Sequence, residues 1–247
     1  MELYSYLIIF LAIIFSATFI RSSIGFGDAL ISMPLLTLLS GLKTATPISA
    51  MLSATIALLI LTTTWKEIQF KSVWKLIVAS AVGIPIGLFF LKGSYDDIMK
   101  IILGILIIIF SIFKLLEPKL IQIRNTKSAY IFGFLGGIFG GAFNTSGPFI
   151  VVYATLRNWS PSKFRTTLQG YFLASNIIIL TMHGASGLWT KQVFILYLTA
   201  LPVIIVTTLI GGKLNHIIPK GKFDKLIFCF LLIIGVLLIF QTTYVYF

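Results

Sequence analysis

Ser22-Ser23-Ile24-Gly25-Phe26-Gly27-Asp28 interrupts an apolar run that begins at residue 3, and Gly140-Gly141-Ala142-Phe143-Asn144-Thr145-Ser146-Gly147 interrupts another that begins at residue 128. Each break is followed by an apolar piece, 29–40 and 148–156. As helices these would be about 18 and 14 Å long, far short of a ~30 Å hydrocarbon core. Broken backbone in a bilayer leaves N–H and C=O groups without partners. It is tolerated only where protein buries it or water reaches it. The two stretches therefore read as the tips of re-entrant hairpins, not as crossings or surface loops.

The rest of the chain supplies the membrane that this reading needs. Of 247 residues 58% are apolar and 11% charged, and the mean hydropathy is +1.04. Soluble domains carry about 25% charged residues. Nineteen Lys and Arg with seven Asp and Glu cannot cover a soluble globule of this size. Full-length apolar runs lie at 3–20, 44–65, 76–91, 101–116, 128–143, 166–182, 192–210 and 226–247. The expected fold is all-α: a polytopic membrane protein with about eight transmembrane helices and two short re-entrant half-helices. The N-terminus has no basic segment and no small-residue cleavage site, so it is not read as a signal peptide. Cys229 is the one cysteine, which excludes an internal disulfide. His183 and His216 are too few for a His-rich metal site; a bis-histidine haem is disfavoured because His216 sits beside a polar loop. No cofactor and no metal is expected.

The two broken units resemble each other. A shift of 114 places Pro34 on Pro148, Gly27 on Gly141, Pro47 on Pro161, Lys43 on Arg157 and Thr46 on Ser160. This predicts two repeats, 1–124 and 125–247, joined by the loop 117–127. Five segments per repeat, an odd number, make the second inverted relative to the first. Lys and Arg then divide by side. Lys43, Lys92, Lys100 and Lys191 fall on one face, fourteen fall on the other, and Arg21 sits in the first break. That asymmetry makes the rich face cytoplasmic and both termini extracellular. It also explains the net charge of +12 without nucleic acid.

Inverted hairpins that meet near the midplane form the site of many secondary carriers. Their short helices begin at the tips, so N–H groups and positive dipole ends face the site and favour an anion. Thr145 or Ser146 is placed to cap the second short helix, with Pro148 in its first turn. Gly25, Gly27, Gly141 and Gly147 allow close backbone approach. Arg21 either binds substrate charge, pairs with Asp28, caps carbonyls or lies at the cytoplasmic surface. Asp28 either complements a helix N-terminus or carries a coupling proton. Thr166, Gln169 and Asn176 share one helical face, as pathway lining or as interhelical hydrogen-bond partners. Ser23, Phe26 and Asn144 complete the candidate substrate-binding set. The glycines at 133, 136, 137, 140 and 141 read as a smooth packing face, and Gly83, Pro85, Gly87 and Pro202 as kinks.

Gly25-Phe26-Gly27-Asp28 also spells G-x-G-D, and Tyr95-Asp96 spells Y-D, two motifs of intramembrane aspartyl proteases. Here their order is reversed, and Tyr95-Asp96 sits in a polar loop. A shared proton needs the carboxylates about 3 Å apart. No other nucleophile–base set or metal set is present in the sequence, so no enzyme is expected. No G-x-x-x-x-G-K-[ST] occurs, so ATP is not the direct driver.

The repeated unit resembles the TauE/SafE family of sulfite/organosulfonate exporters. The matching pieces are Gly25-Phe26-Gly27-x-x-Leu30-x-x-x-Pro34, the stretch Gly136-Gly137-x-x-Gly140-Gly141-Ala142-x-x-x-Ser146-Gly147-Pro148, and Ser160-Pro161-x-x-Phe164-Arg165. Many family tips carry a third consecutive glycine where this chain has Asp28 and Asn144. The resemblance implies an eight-helix cell-membrane transporter of small sulfur-containing or related organic anions, usually moving them outward. Its expected partners are a small anionic substrate and the lipid bilayer. A passive anion channel and a non-transport scaffold are the rival readings. A channel calls for a continuous polar stripe on several helices, and the polar residues here gather at two breaks.

Overall fold

The computed structural model describes residues 3–244 apart from 94, 119–121, 124 and 215–221. His216, the repeat boundary at 124, part of the linker 117–127 and the far end of the last run at 245–247 lie outside the described residues. Ten α-helices follow in order: α1 Leu3–Ile24, α2 Asp28–Ser40, α3 Leu42–Thr64, α4 Phe70–Lys92, α5 Asp96–Leu116, α6 Ser128–Phe143, α7 Gly147–Leu156, α8 Pro161–Ala185, α9 Lys191–Leu214 and α10 Lys222–Tyr244. A single 3-10 turn, Trp65–Glu67, extends α3. The described chain is all-helical, as a polytopic membrane protein requires.

Each of the eight full-length runs and both short pieces is a helix. Four of the helices, α4, α5, α8 and α10, start four to six residues before the apolar window, because residues such as Phe70–Lys75 continue the same hydrogen-bond ladder. Among the described residues six helices are long and apolar enough to cross a membrane: α1, α3, α4, α5, α9 and α10. The other two expected spans fall short for different reasons. α6 has only 16 residues, about 24 Å. α8 has 25, but Thr166, Thr167, Gln169, Ser175, Asn176 and His183 make it polar, and all six are buried. A helix with that many buried polar groups belongs in the interior of a helical assembly, not against lipid.

α3 and α8 form the centre and pack on each other. Around them α4 packs along α6 and α9 along α1, α8 also meets α4, α3 also meets α9, and α5 packs on α10. Exchanging the first five helices for the second five maps every one of these contacts onto another. α2 breaks the pattern: it lies on α1 and α3 and also reaches α5 and α10, whereas α7 packs chiefly on α6.

The expected shift of 114 does not survive the helix boundaries. α1 and α6 end at 24 and 143, α2 and α7 begin at 28 and 147, and α3 and α8 begin at 42 and 161. All three pairs give 119. Pro34 is therefore mid-helix in α2, while Pro148 is in the first turn of α7. Gly27 precedes a helix, while Gly141 lies inside one. Gly and Pro gather wherever helices are interrupted, and the five matched pairs aligned such residues out of register.

The glycine row on α6 serves two faces. Added Cβ atoms at Gly133, Gly137 and Gly141 would meet backbone of α4 inside 3.0 Å; those at Gly136 and Gly140 would meet Ile150, Tyr171, Ser146 and Ile179 at ordinary or tight spacing. Gly83 and Gly87 answer from α4, each against α6 backbone. They are contact residues that let two helices touch main chain to main chain.

Candidate functional site

Both breaks are built from a left-handed residue followed by an uncapped helix start. α1 ends at Gly25, φ +100, whose N–H donates to the Arg21 carbonyl at 2.6 Å. α6 ends at Asn144, φ +53, whose N–H donates to Gly140 O at 2.8 Å, with Thr145 N–H reaching Phe139 O at 3.2 Å. Gly25 and Asn144 are counterparts under the shift of 119. Glycine reaches that conformation freely, and Asn is the side chain that tolerates it best. Two residues later in the first break Gly27, φ +104, turns the chain into α2.

The helix starts that follow have no side-chain caps. Gly27 has no side chain to offer, and Ser146, at the expected cap position of α7, makes no cap bond. Thr145 does not cap either, since its hydroxyl donates back to Phe143 O at 2.9 Å. The first N–H groups of α2 and α7 thus lack both intrahelical and side-chain acceptors.

These two starts open on one small cavity with room for about one water molecule. Gly27, Asp28, Ala29 and Leu30 line it from the first break, and Asn144, Thr145, Ser146, Gly147 and Pro148 from the second. Ser53 of α3 and Phe172 and Asn176 of α8 close it. Ser53 and Phe172 are counterparts under the shift of 119, and each lies at the middle of its helix.

Seven of the thirteen expected substrate-contacting residues line this cavity: Gly27, Asp28, Asn144, Thr145, Ser146, Gly147 and Asn176. Six do not. Phe26 packs edge-on against Phe110 and Phe164. Ser23 is buried behind the break. Gly141 abuts Ile84 of α4. Gly25, Arg21 and Gln169 belong to a network behind the wall.

That network is centred on Arg21, which is 0% exposed. Its Nη1 donates to Asp28 Oδ2 at 2.7 Å and to Ser53 Oγ. Its Nη2 and Nε both donate to Gln169 Oε1, at 2.8 and 3.3 Å. Gln169 Nε2 in turn donates to Gly25 O at 2.6 Å. The guanidinium also lies 4.8 Å from the centre of the Phe172 ring. Of the alternatives open for Arg21, the structure has the pairing with Asp28. The ion pair spans the break, ties α1 to α2, and bridges to α3 and α8. Both residues are buried in the protein, where a charge without its partner is costly, so pairing is what lets either residue reside here. Asp28 is the first residue of α2, not its cap. Asp28 is part of the cavity lining, and its charge is answered by Arg21.

Thr166, Gln169 and Asn176 share a face yet do three things. Thr166 donates to Glu67 at 3.2 Å, Gln169 holds Arg21, and Asn176 reaches the cavity. Asn176 Nδ2 donates to Ser53 Oγ at 3.1 Å and to Phe172 O at 2.8 Å.

Ser53 and Phe172 were not singled out by the sequence. A signal for the first existed: Thr46, Ser49 and Ser53 recur at the spacing of one helical face. All three are buried, and Ser49 accepts a bond from Asn144 Nδ2 at 3.2 Å. Phe172 carries no such mark in an apolar chain. The protease constellation is not assembled. Asp28 is held by Arg21, whereas Asp96, half exposed at the start of α5, pairs with Lys43 at 3.6 Å.

Comparison with known proteins agrees with this architecture. The family described as Sulfite exporter TauE/SafE matches residues 9–238. The probable sulfite/organosulfonate exporter TauE of Cupriavidus necator is 24% identical over 148 residues, 57% of this chain. The match spans 58% of that relative's length. No solved structure matches the chain.

Proposed function

The chain belongs to the TauE/SafE sulfite exporter family, and from that premise we propose that it is a secondary carrier which moves a small anion, sulfite or an organosulfonate, across the cell membrane by alternating access. The observation that carries this reading is the convergence of two uncapped helix starts on one small cavity whose lining includes Asp28, Ser53, Asn144, Thr145, Ser146 and Asn176. Each start supplies roughly half a positive charge and a fan of unclaimed N–H groups. The cavity is level with the middles of α3 and α8, which supports a position deep in the bilayer. Its small size favours a gated carrier over a passive channel.

The helix pairings support two inverted repeats, 1–124 and 125–247, with the site between them. Under this reading both termini are extracellular and the loop 117–127 is cytoplasmic. A cysteine-accessibility map that labels 117–127 from outside overturns that orientation. Arg21, Asp28 and Gln169 form the rigid floor of the site, and Gly27, Asp28, Asn144, Thr145, Ser146, Gly147 and Asn176 make its surface. The test of function is thermal unfolding of the purified protein against sulfite, sulfate, sulfonates and carboxylates. A ligand at a hundred times its dissociation constant stabilises by about 2.7 kcal/mol. Sulfite or a sulfonate is expected to raise the midpoint; absence of a shift with every anion overturns the carrier reading.

A further inference from the structure

The hydrogen-bond directions around the cavity are more informative than its charge. Ser53 Oγ accepts from Arg21 Nη1 and from Asn176 Nδ2. A hydroxyl oxygen has two lone pairs, so both are taken, and the Ser53 hydrogen is left to donate. Asn176 presents the opposite polarity. Its amide orientation is set by Phe172 O, which needs the N–H₂ group and would repel the oxygen. Asn176 Oδ1 is consequently an acceptor. It has no partner, in a residue only 2% exposed that lines the cavity. A buried acceptor without a donor is costly, and no flip relieves it. Asp28 adds a second acceptor to the same wall.

The net charge is small. Arg21 and Asp28 cancel, being 2.7 Å apart, and among the described residues no other charged side chain lines the cavity. What remains is the two helix starts, together about one positive charge.

We propose that the site takes a singly charged oxoanion that brings its own hydrogen-bond donor, a monoprotonated or hydroxyl-bearing species, and rejects both the fully ionised dianion and the donor-free monoanion. Once the one-water space widens to admit the ligand, its anionic oxygens meet the N–H groups of α2 and α7 and the Ser53 hydroxyl. The ligand's O–H meets Asn176 Oδ1, with the Asp28 carboxylate alongside. A site built to hydrogen-bond one group on a ligand discriminates strongly against the analogue that lacks it, because its own buried atom is then left unpaired. This rests on the anion-carrier reading of the cavity and specifies its substrate.

The test uses the purified full-length protein at one pH and three anions whose charges do not change near neutrality. Hydroxymethanesulfonate and methanesulfonate are both monoanions and differ by a hydroxyl. Sulfate is a dianion without a proton. Isothermal titration is expected to show hydroxymethanesulfonate binding roughly tenfold or more tightly than methanesulfonate, with sulfate weakest. In Asn176→Leu the ratio of the two sulfonate affinities is expected to fall to within about twofold. Equal affinities for the two sulfonates in the native protein overturn the proposal without any variant, as does tight sulfate binding. An equal loss of both sulfonates in Asn176→Leu also overturns it. If none of the three anions binds, the carrier reading itself falls and takes this proposal with it. Binding without donor preference overturns the proposal alone.

Discussion

The first break is held by charge and the second by close contact. At 21 and 28 the first has Arg21 and Asp28, paired across the turn and fully enclosed. At the counterpart positions, 140 and 147, the second has glycines. Its hold comes from Gly133, Gly137 and Gly141, which put α6 against the backbone of α4. The surroundings differ in the same sense: α2 is wedged among α1, α3, α5 and α10, while α7 leans chiefly on α6. Two halves with one architecture thus present one tip cross-linked to the bundle and one tip that rides on its own helix. The two halves share one architecture and differ in how firmly side chains tie each tip to the rest of the bundle.

The largest effect is expected where the charges are. Asp28→Ala leaves a buried guanidinium without its counter-charge, and the expected loss is about 3–5 kcal/mol. It is read as a fall in the thermal midpoint of the purified protein. Arg21→Gln produces a similar loss by orphaning the carboxylate, and it weakens anion binding because Ser53 loses the donor that orients it. The double variant Arg21→Gln/Asp28→Ala removes both charges together. It is expected to recover part of the stability, with a coupling energy toward the upper end of about 0.5–3 kcal/mol. Strict additivity of the two single losses would mean that the pair contributes no coupling, and the contrast between the tips would fail.

The next effect tests the second tip. In Gly141→Ala a methyl group is driven into the Ile84 backbone of α4, which has no side-chain end to swing away. Overpacking of this kind costs about 1–3 kcal/mol. Gly147→Ala places its Cβ no nearer than 3.8 Å, at the rim of Phe172, and little change in midpoint is expected. If the two substitutions prove equally mild, α6 is not seated on α4 as closely as its glycines require.

The breaks were legible in the sequence because a bilayer makes interrupted backbone conspicuous, and so were the helices on either side. Six cavity residues were legible for the same reason, being part of the interruptions, and Asn176 was legible from the polar face it shares with Thr166 and Gln169. The register between the halves was not. Pro34 and Pro148 look alike in a string of letters but sit at different depths in their helices, and the true shift shows in the helix boundaries and in the left-handed pair Gly25 and Asn144. Nor was the fate of Arg21. Its distance of seven residues from Asp28 permits a pair, but whether the guanidinium faces the cavity or backs it depends on Gln169 and Ser53, which arrive from α8 and α3. Phe172 was invisible for a simpler reason: among 22 phenylalanines nothing distinguishes a cavity wall from a lipid contact.

The smallest effects belong to the left-handed residues themselves, where the two breaks are most alike. Gly25, at φ +100, has no Cβ, and one added there would lie 3.4 Å from Arg165 Cγ. Gly25→Ala therefore combines conformational strain, roughly 1–2 kcal/mol, with a tight contact. Asn144 already bears the milder strain of φ +53. Asn144→Gly relieves it, and in exchange loses the bond to Ser49 and gains freedom in the unfolded chain. These terms oppose each other at about 1 kcal/mol or less apiece, so the midpoint is expected to move little. The discriminating variant is Asn144→Ala, which keeps the strain and loses the bond. It is expected to be less stable than Asn144→Gly by several tenths to about 1 kcal/mol. If Ala and Gly at 144 are equal, the residue is not left-handed, and the counterpart relation between Gly25 and Asn144 no longer supports the shift of 119.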